Sequence, residues 1–376
     1  MLTLGLMSGT STDGVDGALV DWHPGGMPGW GRVLACAHRP LPAPLRAELL
    51  ALNHPGHDEL HRASLAAQGL MAVCAEVVEA VLAASGQAAA AIAALGLHGQ
   101  TVRHRPDPAD GGYTLQLAAP ARLAERCGIA VIADFRSRDI AAGGQGAPLV
   151  PAFHQALWAQ PGQDVAVLNL GGIANLSLLP AQGAVTGFDT GPANVLMDLW
   201  IARQRGLAHD ADGAWAASGR VLPALLARGL ADPYFARPAP KSTGRDHFHA
   251  DWLARWLDGD GAAAPEDVQA TLLALTVQSI AQALQAWRPG AAPGGAPRPL
   301  IVCGGGAFNG ALLRGLQAAL PDWAVASSAA HGLPPQWVEA TAFAWLARAH
   351  LLGEPGNLPA VTGARGPRIL GACYPV

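Results

Sequence analysis

Leu2–Thr3–Leu4–Gly5–Leu6–Met7–Ser8–Gly9–Thr10–Ser11–Thr12–Asp13–Gly14–Val15–Asp16 is the stretch on which the reading of this chain turns. An apolar run opens into a turn of small, hydroxylated and acidic residues, and a second apolar run, Val15 to Trp22, follows at once. Strand, small polar turn, strand predicts a hairpin that offers backbone N–H groups to an anion, with Asp13 and Asp16 able to help hold a hydrated metal ion. Taken alone, such a turn is more often a plain hairpin.

Composition narrows the choices. At 376 residues the chain predicts two domains, and 51% hydrophobic against 14% charged residues is ample material for large cores. A net charge of −4 without a basic run argues against nucleic acid as a partner. Lys241 is the single lysine, which reads as a bias toward Arg, Ala, Gly and Pro. Five scattered cysteines (Cys36, Cys74, Cys127, Cys303, Cys373) form no C-x-x-C, so neither a disulfide framework nor a cysteine zinc site is expected. No signal peptide is read at the start, and the apolar stretch around 71–97 is broken by Glu76, Glu79 and Gly86. A cytoplasmic protein with no membrane partner is the expectation.

Outward from the first turn, strands are expected at Leu2–Met7, Val15–Trp22, Arg32–Ala37, Ala94–Leu97, Tyr113–Leu117 and Ile129–Asp134, with helices over Asp58–Ser85 and Pro120–Cys127. The pattern then restarts with strands Asp164–Asn169, Ala174–Leu179 and Val185–Phe188. Helices follow at Asn194–Gln204, Val221–Arg228, Asp251–Leu257 and Pro265–Trp287. A Pro/Gly/Ala surface loop spans 288–298, then come the strand Pro299–Cys303 and a closing helix, Gln336–His350. This weak internal repeat predicts two related α/β halves with a cleft between them.

Two further glycine turns join the first. Asn169–Leu170–Gly171–Gly172–Ile173–Ala174–Asn175 can admit a phosphate or be an ordinary hairpin. Gly304–Gly305–Gly306 before a helix can admit a ribose or flat ring, with Asn309 as the helix cap at the same time. Neither a G-x-x-x-x-G-K-[ST] loop nor a G-x-G-x-x-G opening a helix after the first strand is present, which excludes the P-loop and argues against a dinucleotide fold.

Three glycine turns in this order resemble the actin-like (ribonuclease H-like) ATP-binding fold. Longer segments narrow the resemblance: Leu97–His98–Gly99–Gln100–Thr101, Ala133–Asp134–Phe135–Arg136, Gly144–Gln145–Gly146–Ala147–Pro148–Leu149, Gly187–Phe188–Asp189–Thr190–Gly191–Pro192–Ala193–Asn194 and Lys241–Ser242–Thr243–Gly244–Arg245. With the three turns they look like the anhydro-N-acetylmuramic acid kinase family, from Gly5 to Gly371–Ala372–Cys373–Tyr374–Pro375. Thr12, and Gln336–Trp337 before Glu339, depart slightly from the family pattern.

The resemblance implies two actin-like α/β domains around an interdomain ATP cleft, placed at 1–135 plus 358–376 and at 136–357. It implies an ATP- and Mg²⁺-dependent kinase of cell-wall recycling. Such an enzyme opens the 1,6-anhydro ring of 1,6-anhydro-N-acetylmuramic acid with water and phosphorylates O6. Asp189 is the expected base; a helix-capping aspartate is its plainer reading. Gly9, Thr10, Ser11, Thr12, Asp13, Gly14, Val15 and Asp16 are expected at the ATP phosphates, with Asp13 or Asp16 on magnesium through water. Asn169, Gly171 and Gly172 are expected as the second phosphate turn, and Gly304, Gly305 and Gly306 at the adenosine. His98, Gln100, Arg136 and Glu339 are the expected sugar ligands. Arg136 either pairs with the lactyl carboxylate or forms an ion pair with Asp134 or Asp139. Lys241 and Arg245 sit in a loop that reaches the phosphates or is merely solvated. A homodimer is expected. The competing readings are an ordinary sugar or carboxylate kinase of the same superfamily and a chaperone-like ATPase.

Overall fold

The computed structural model describes residues 1–9, 11–22, 31–107, 109, 111–239, 241–244, 247–259, 263–287 and 296–376. Thr10, Arg245 and most of the expected 288–298 loop lie outside the described residues. The strands are β1 (Leu2–Met7), β2 (Gly14–Asp21), β3 (Arg32–Pro40), β4 (Ile92–Leu97), β5 (Gln100–Arg105), β6 (Tyr113–Leu117), β7 (Val131–Ala133), β8 (Val165–Leu170), β9 (Ile173–Leu179), β10 (Thr186–Pro192), β11 (Arg298–Cys303), β12 (Trp323–Ser327) and β13 (Ala372–Tyr374).

The chain divides into a first unit, Met1–Leu157 with Trp337–Val376, and a second unit, Trp158–Gln336. The first unit holds a six-stranded sheet in the order β13-β7-β4-β1-β2-β3. β1, β2 and β3 run antiparallel in turn, while β4 lies parallel to β1 and β7 parallel to β4. The second unit's sheet runs β10-β9-β8-β11-β12. It repeats the scheme, with β8, β9 and β10 antiparallel, β11 parallel to β8 and β12 parallel to β11. The internal repeat expected from two glycine turns is therefore a repeat of strand order and direction.

Side-chain alternation sends the two faces of the first sheet to different cores. Leu4, Leu6, Val15 and Leu19 pack with the helix Glu59–Ser85, whereas Met7, Ala18 and Ala94 pack with the helix Val338–Leu352. Glu59–Ser85 is long and apolar enough to cross a membrane by length and composition, yet Leu70, Val77 and Val81 along it are buried in the first unit's core. Gly86, at φ 67°, ends it in the left-handed conformation that glycine adopts without a Cβ penalty. In the second unit, Leu168, Leu176, Leu300 and Val302 are buried with Leu272, Leu275 and Ile280 of the helix Pro265–Ala286.

The unit boundaries differ from those expected at 135/136 and 357/358. The closing helix, expected in the second half, packs on β1, β2 and β4. The cause is local: Gly5 on β1 and Gly96 on β4 have no side chain, and a Cβ at either would collide with the helix backbone, at the Ala340 and Phe343 carbonyls respectively. Those two positions let a helix lie directly on the sheet and carry Glu339 to it.

Candidate active site

In the first unit the turn between β1 and β2 is drawn shut by its own groups. Met7 faces Asp16 across the hairpin, Thr12 N donates to the Gly9 carbonyl at 3.1 Å, and Thr12 adopts φ 54°, a strained backbone for a β-branched residue. Arg46 Nε fixes that strain by donating to the Thr12 carbonyl at 2.9 Å. Gly9 remains open on the side where a Cβ would project, with its nearest neighbours Ser11 Oγ at 3.7 Å and the Met7 methyl at 4.0 Å. Val15 was expected at the phosphates, but its side chain is buried in the core, because alternation along β2 turns it inward.

Ser11 Oγ donates to Asp13 Oδ1 at 2.7 Å, and His38 Nδ1 lies 2.8 Å from Asp16 Oδ1. Burial raises the Asp16 carboxyl above its ordinary range; His38 opposes the rise and Asp13 adds repulsion. Two carboxylates that repel each other, Asp13 on the turn and Asp16 at the start of β2, suit a cation. Among the described residues no cluster of three or more His, Cys, Asp or Glu could hold a metal. That donor set fits Mg²⁺, which keeps several waters and takes one or two carboxylates together with substrate phosphates.

His98 and Gln100 were expected to meet the sugar, but the structure turns both inward. Gln100 Oε1 accepts from Ser8 Oγ at 2.6 Å, and its Nε2 donates to the Gly9 carbonyl at 3.1 Å. His98 Nδ1 lies 3.0 Å from the Ser8 carbonyl, and its Nε2 lies 3.0 Å from an Arg136 NH₂ group. Both side chains are buried and support the turn between β1 and β2.

Arg136 makes neither of the ion pairs considered for it. Asp134 accepts from Ser137, while Asp139 accepts from Gly146 N, Asn357 and Thr362. Arg136 donates to the Gly146 carbonyl at 2.9 Å, and its buried Nε has no hydrogen-bond partner. Burial pulls its pKa down to about 10, with Glu339 and then Asp139 opposing. Burial raises the Glu339 carboxyl, Asp16 raises it further, and Arg136 opposes. Arg136, Glu339, Asp13 and Asp16 thus form one electrostatic cluster in the first unit.

In the second unit the second and third glycine turns adjoin, since Cys303 on β11 pairs with Asn169 on β8. Gly304, at φ 79°, lies so close to the Asn169 amide and the Leu170 backbone that a Cβ there would collide with both. Gly305 opens into free space, and Gly171 meets only the Ile173 carbonyl at 3.7 Å. The Gly171 and Gly172 carbonyls accept N–H groups from residues 193–195, which fixes the turn against the helix Asn194–Arg205. The third turn continues as a 3₁₀ turn, Gly305–Phe308, ahead of the helix Gly310–Ala319, which Asn309 caps by accepting from Leu312 N at 3.0 Å.

Asp189 lies inside β10, not at a helix cap; the following helix is capped at Ala193. A register shift between Asp189 and Gly191 breaks the ladder there. Its carboxylate accepts from Asn175 Nδ2 at 2.7 Å on Oδ1 and from Thr243 N at 3.0 Å on Oδ2. Burial raises its pKa while those two donors oppose the rise. A carboxylate raised in pKa yet still accepting two hydrogen bonds is suited to receiving a proton. Asn175 as its partner was visible only once the β9–β10 register was known, and Tyr234, which donates to the Asp189 carbonyl at 2.7 Å, gave no motif signal.

Two like-ordered α/β sheets, each opened by a hairpin whose turn leaves room at a glycine, are the arrangement expected of an actin-like fold. The family described as "Anhydro-N-acetylmuramic acid kinase" matches residues 1–376. A protein of that name from Variovorax paradoxus (strain S110) is 58% identical over 100% of this chain and 99% of its own. Others from Bordetella petrii and Cupriavidus pinatubonensis are 58% and 56% identical, over 100% and 99% of this chain and 96% and 98% of theirs. The chain belongs to the anhydro-N-acetylmuramic acid kinase family.

Proposed function

We propose that this protein opens the 1,6-anhydro ring of 1,6-anhydro-N-acetylmuramic acid and phosphorylates the freed O6 with ATP, giving N-acetylmuramic acid 6-phosphate and ADP in cytoplasmic cell-wall recycling. Asp189 takes a proton from water as its oxygen bonds to C1. The C1–O6 bond breaks, and its electron pair stays on O6. O6 then bonds to the γ-phosphorus while the bond to the ADP oxygen breaks. The proton held by Asp189 passes to solvent.

The observation that carries this reading is the Asp189 carboxylate, raised by burial and aimed by Asn175 and Thr243. The turn 9–16 and the glycines at 171–172 are the proposed phosphate ligands, Gly304 to Gly306 the adenosine ligands, and Arg136 and Glu339 the sugar ligands. His98 and Gln100 serve the sugar through the turn and through Arg136. Mg²⁺ held through water by Asp13 and Asp16 would neutralise charge on the triphosphate. A homodimer is the proposed assembly, supported by the family resemblance.

The test is ATP consumption with the anhydro sugar, with the phosphate position read by NMR and C1 labelling followed in H₂¹⁸O. Phosphorylation of N-acetylmuramic acid itself without C1 labelling would point to an ordinary sugar kinase, and sugar-independent hydrolysis to a chaperone-like ATPase. Asp189→Asn should bind ATP and lose turnover.

A further inference from the structure

We propose that Tyr234 and Lys241 are positioning residues that hold the stretches 234–239 and 241–243 as a clasp over Asp189; the proposal rests on Asp189 being the base. All four polar groups of Asp189 are engaged within the second unit. Besides Asn175 on Oδ1, Thr243 N donates to Oδ2 at 3.0 Å, Tyr234 Oη donates to the main-chain carbonyl at 2.7 Å, and Asp189 N donates to the Lys241 carbonyl at 3.0 Å. Three of these four contacts come from those two stretches.

Lys241, the only lysine in the chain, ties the two stretches together. Its Nζ donates to the Phe235 carbonyl at 3.1 Å and the Tyr234 carbonyl at 3.3 Å, and stands 4.8 Å from the centre of the Tyr234 ring. An ammonium satisfied by two carbonyls and an aromatic face is spent on holding the loop, in contrast to the phosphate contact considered from the sequence. The root of the first stretch is fixed as well. Asp232 accepts from Tyr234 N at 2.9 Å, Trp252 Nε1 at 2.8 Å and His247 Nε2 at 3.1 Å.

A base is effective only when its lone pairs are aimed, and a misplacement of about 1 Å costs roughly 100-fold in rate. An ionised carboxylate offers about four acceptor sites. The clasp and Asn175 use two and leave acceptor capacity for water. Among the described residues, the ionisable groups about Asp189 are Tyr234 and, around that ring, Lys241, Arg237 and His247, the last paired with Asp232. Asn175 on β9 and Ser279, which faces Gly191 from the helix Pro265–Ala286, are uncharged. Loosening the clasp removes the Thr243 N–H from a carboxylate that burial already raises. The acid limb of the rate profile then moves to higher pH.

The test uses the full chain with ATP and the anhydro sugar. Tyr234→Phe and Lys241→Met should lower kcat about 10–100-fold, leave KM for ATP unchanged and move the acid limb of kcat upward; Lys241→Arg should recover most of the rate. An unchanged acid limb in folded Tyr234→Phe overturns the proposal even if Lys241→Met does not fold. So does a Lys241→Met enzyme with raised KM for ATP at constant kcat, which would make the lysine a phosphate ligand. Asp189→Asn runs alongside: near wild-type turnover there removes the base reading itself, whereas lost turnover with unaffected clasp variants removes only the clasp.

Discussion

One ring, His98, joins Ser8 to Arg136. A guanidinium only donates, so the His98 Nε2, 3.0 Å from Arg136, must accept, and Nδ1 carries the proton given to the Ser8 carbonyl. The imidazole is therefore neutral, and burial together with the Arg136 cation holds its pKa at about 3. It fixes the β1–β2 turn and the arginine to each other and takes no part in proton transfer.

A pH dependence of stability follows. The folded pKa lies below the ordinary value of 6.5, so the contribution of neutral His98 is complete above about pH 6.5 and is lost as pH falls toward 3. His154, depressed to about 3 by burial, acts in the same direction. Each costs up to about 1.4 kcal/mol per pH unit across that window. Urea unfolding from pH 7 to pH 4 should give a shallower slope for His98→Asn than for wild type; equal slopes would show that the ring is not the source.

Asp139 has no exposed surface and receives three donors: Gly146 N at 2.8 Å, Asn357 Nδ2 at 2.6 Å and Thr362 Oγ1 at 2.8 Å. It ties the loop that carries the Gly146 carbonyl, and so Arg136, to the segment 357–362. Asp139→Ala strands those donors, at a cost of about 3 kcal/mol or more. The melting temperature should fall by about 6 °C or more, read by calorimetry. A smaller fall would mean that water replaces the carboxylate.

Gly5→Ala and Gly96→Ala test the seat of Glu339. Each puts a methyl group into the backbone of the helix Val338–Leu352, which cannot give way as a side-chain tip can. Both variants should lose folded yield. Gly162→Ala, at φ 76° with nothing within 4 Å, should cost only about 1–2 kcal/mol. Equal behaviour of the three would refute close packing as the reason for glycine at 5 and 96.

Much of this was legible in the chain. Apolar runs on either side of Ser8–Asp13 and of Gly171–Gly172 announce the two hairpins, and the helix Glu59–Ser85 follows from its periodicity and from Gly86. What escaped was set by partners distant in sequence. Gln100 looks like a sugar ligand until β1 and β4 are paired, which brings it under Ser8 and Gly9. Asp189 looks like a helix cap until β9 pairs with β10 and sets Asn175 opposite it. The closing helix joins the first sheet only through the bare positions Gly5 and Gly96. Local pattern reports an element and its type; which polar atoms are already spent depends on register.

Arg136 makes the sharpest prediction about the substrate. It is ionised at working pH, forms no ion pair among the described residues, and keeps a buried Nε without a partner. Glu339 and Asp139 offset its desolvation without forming an ion pair with it, and a carboxylate bound in direct contact would satisfy the buried Nε. The proposed sugar carries one on its lactyl group. Arg136→Gln should raise KM for that sugar about 10–100-fold, the equivalent of one charged hydrogen bond, with kcat and ATP affinity little changed. An analogue whose lactyl carboxylate is replaced by a hydroxyl should bind wild type and Arg136→Gln equally weakly. If the variant weakens both sugars by the same factor, the arginine supports the loop at Gly146 and does not read the carboxylate.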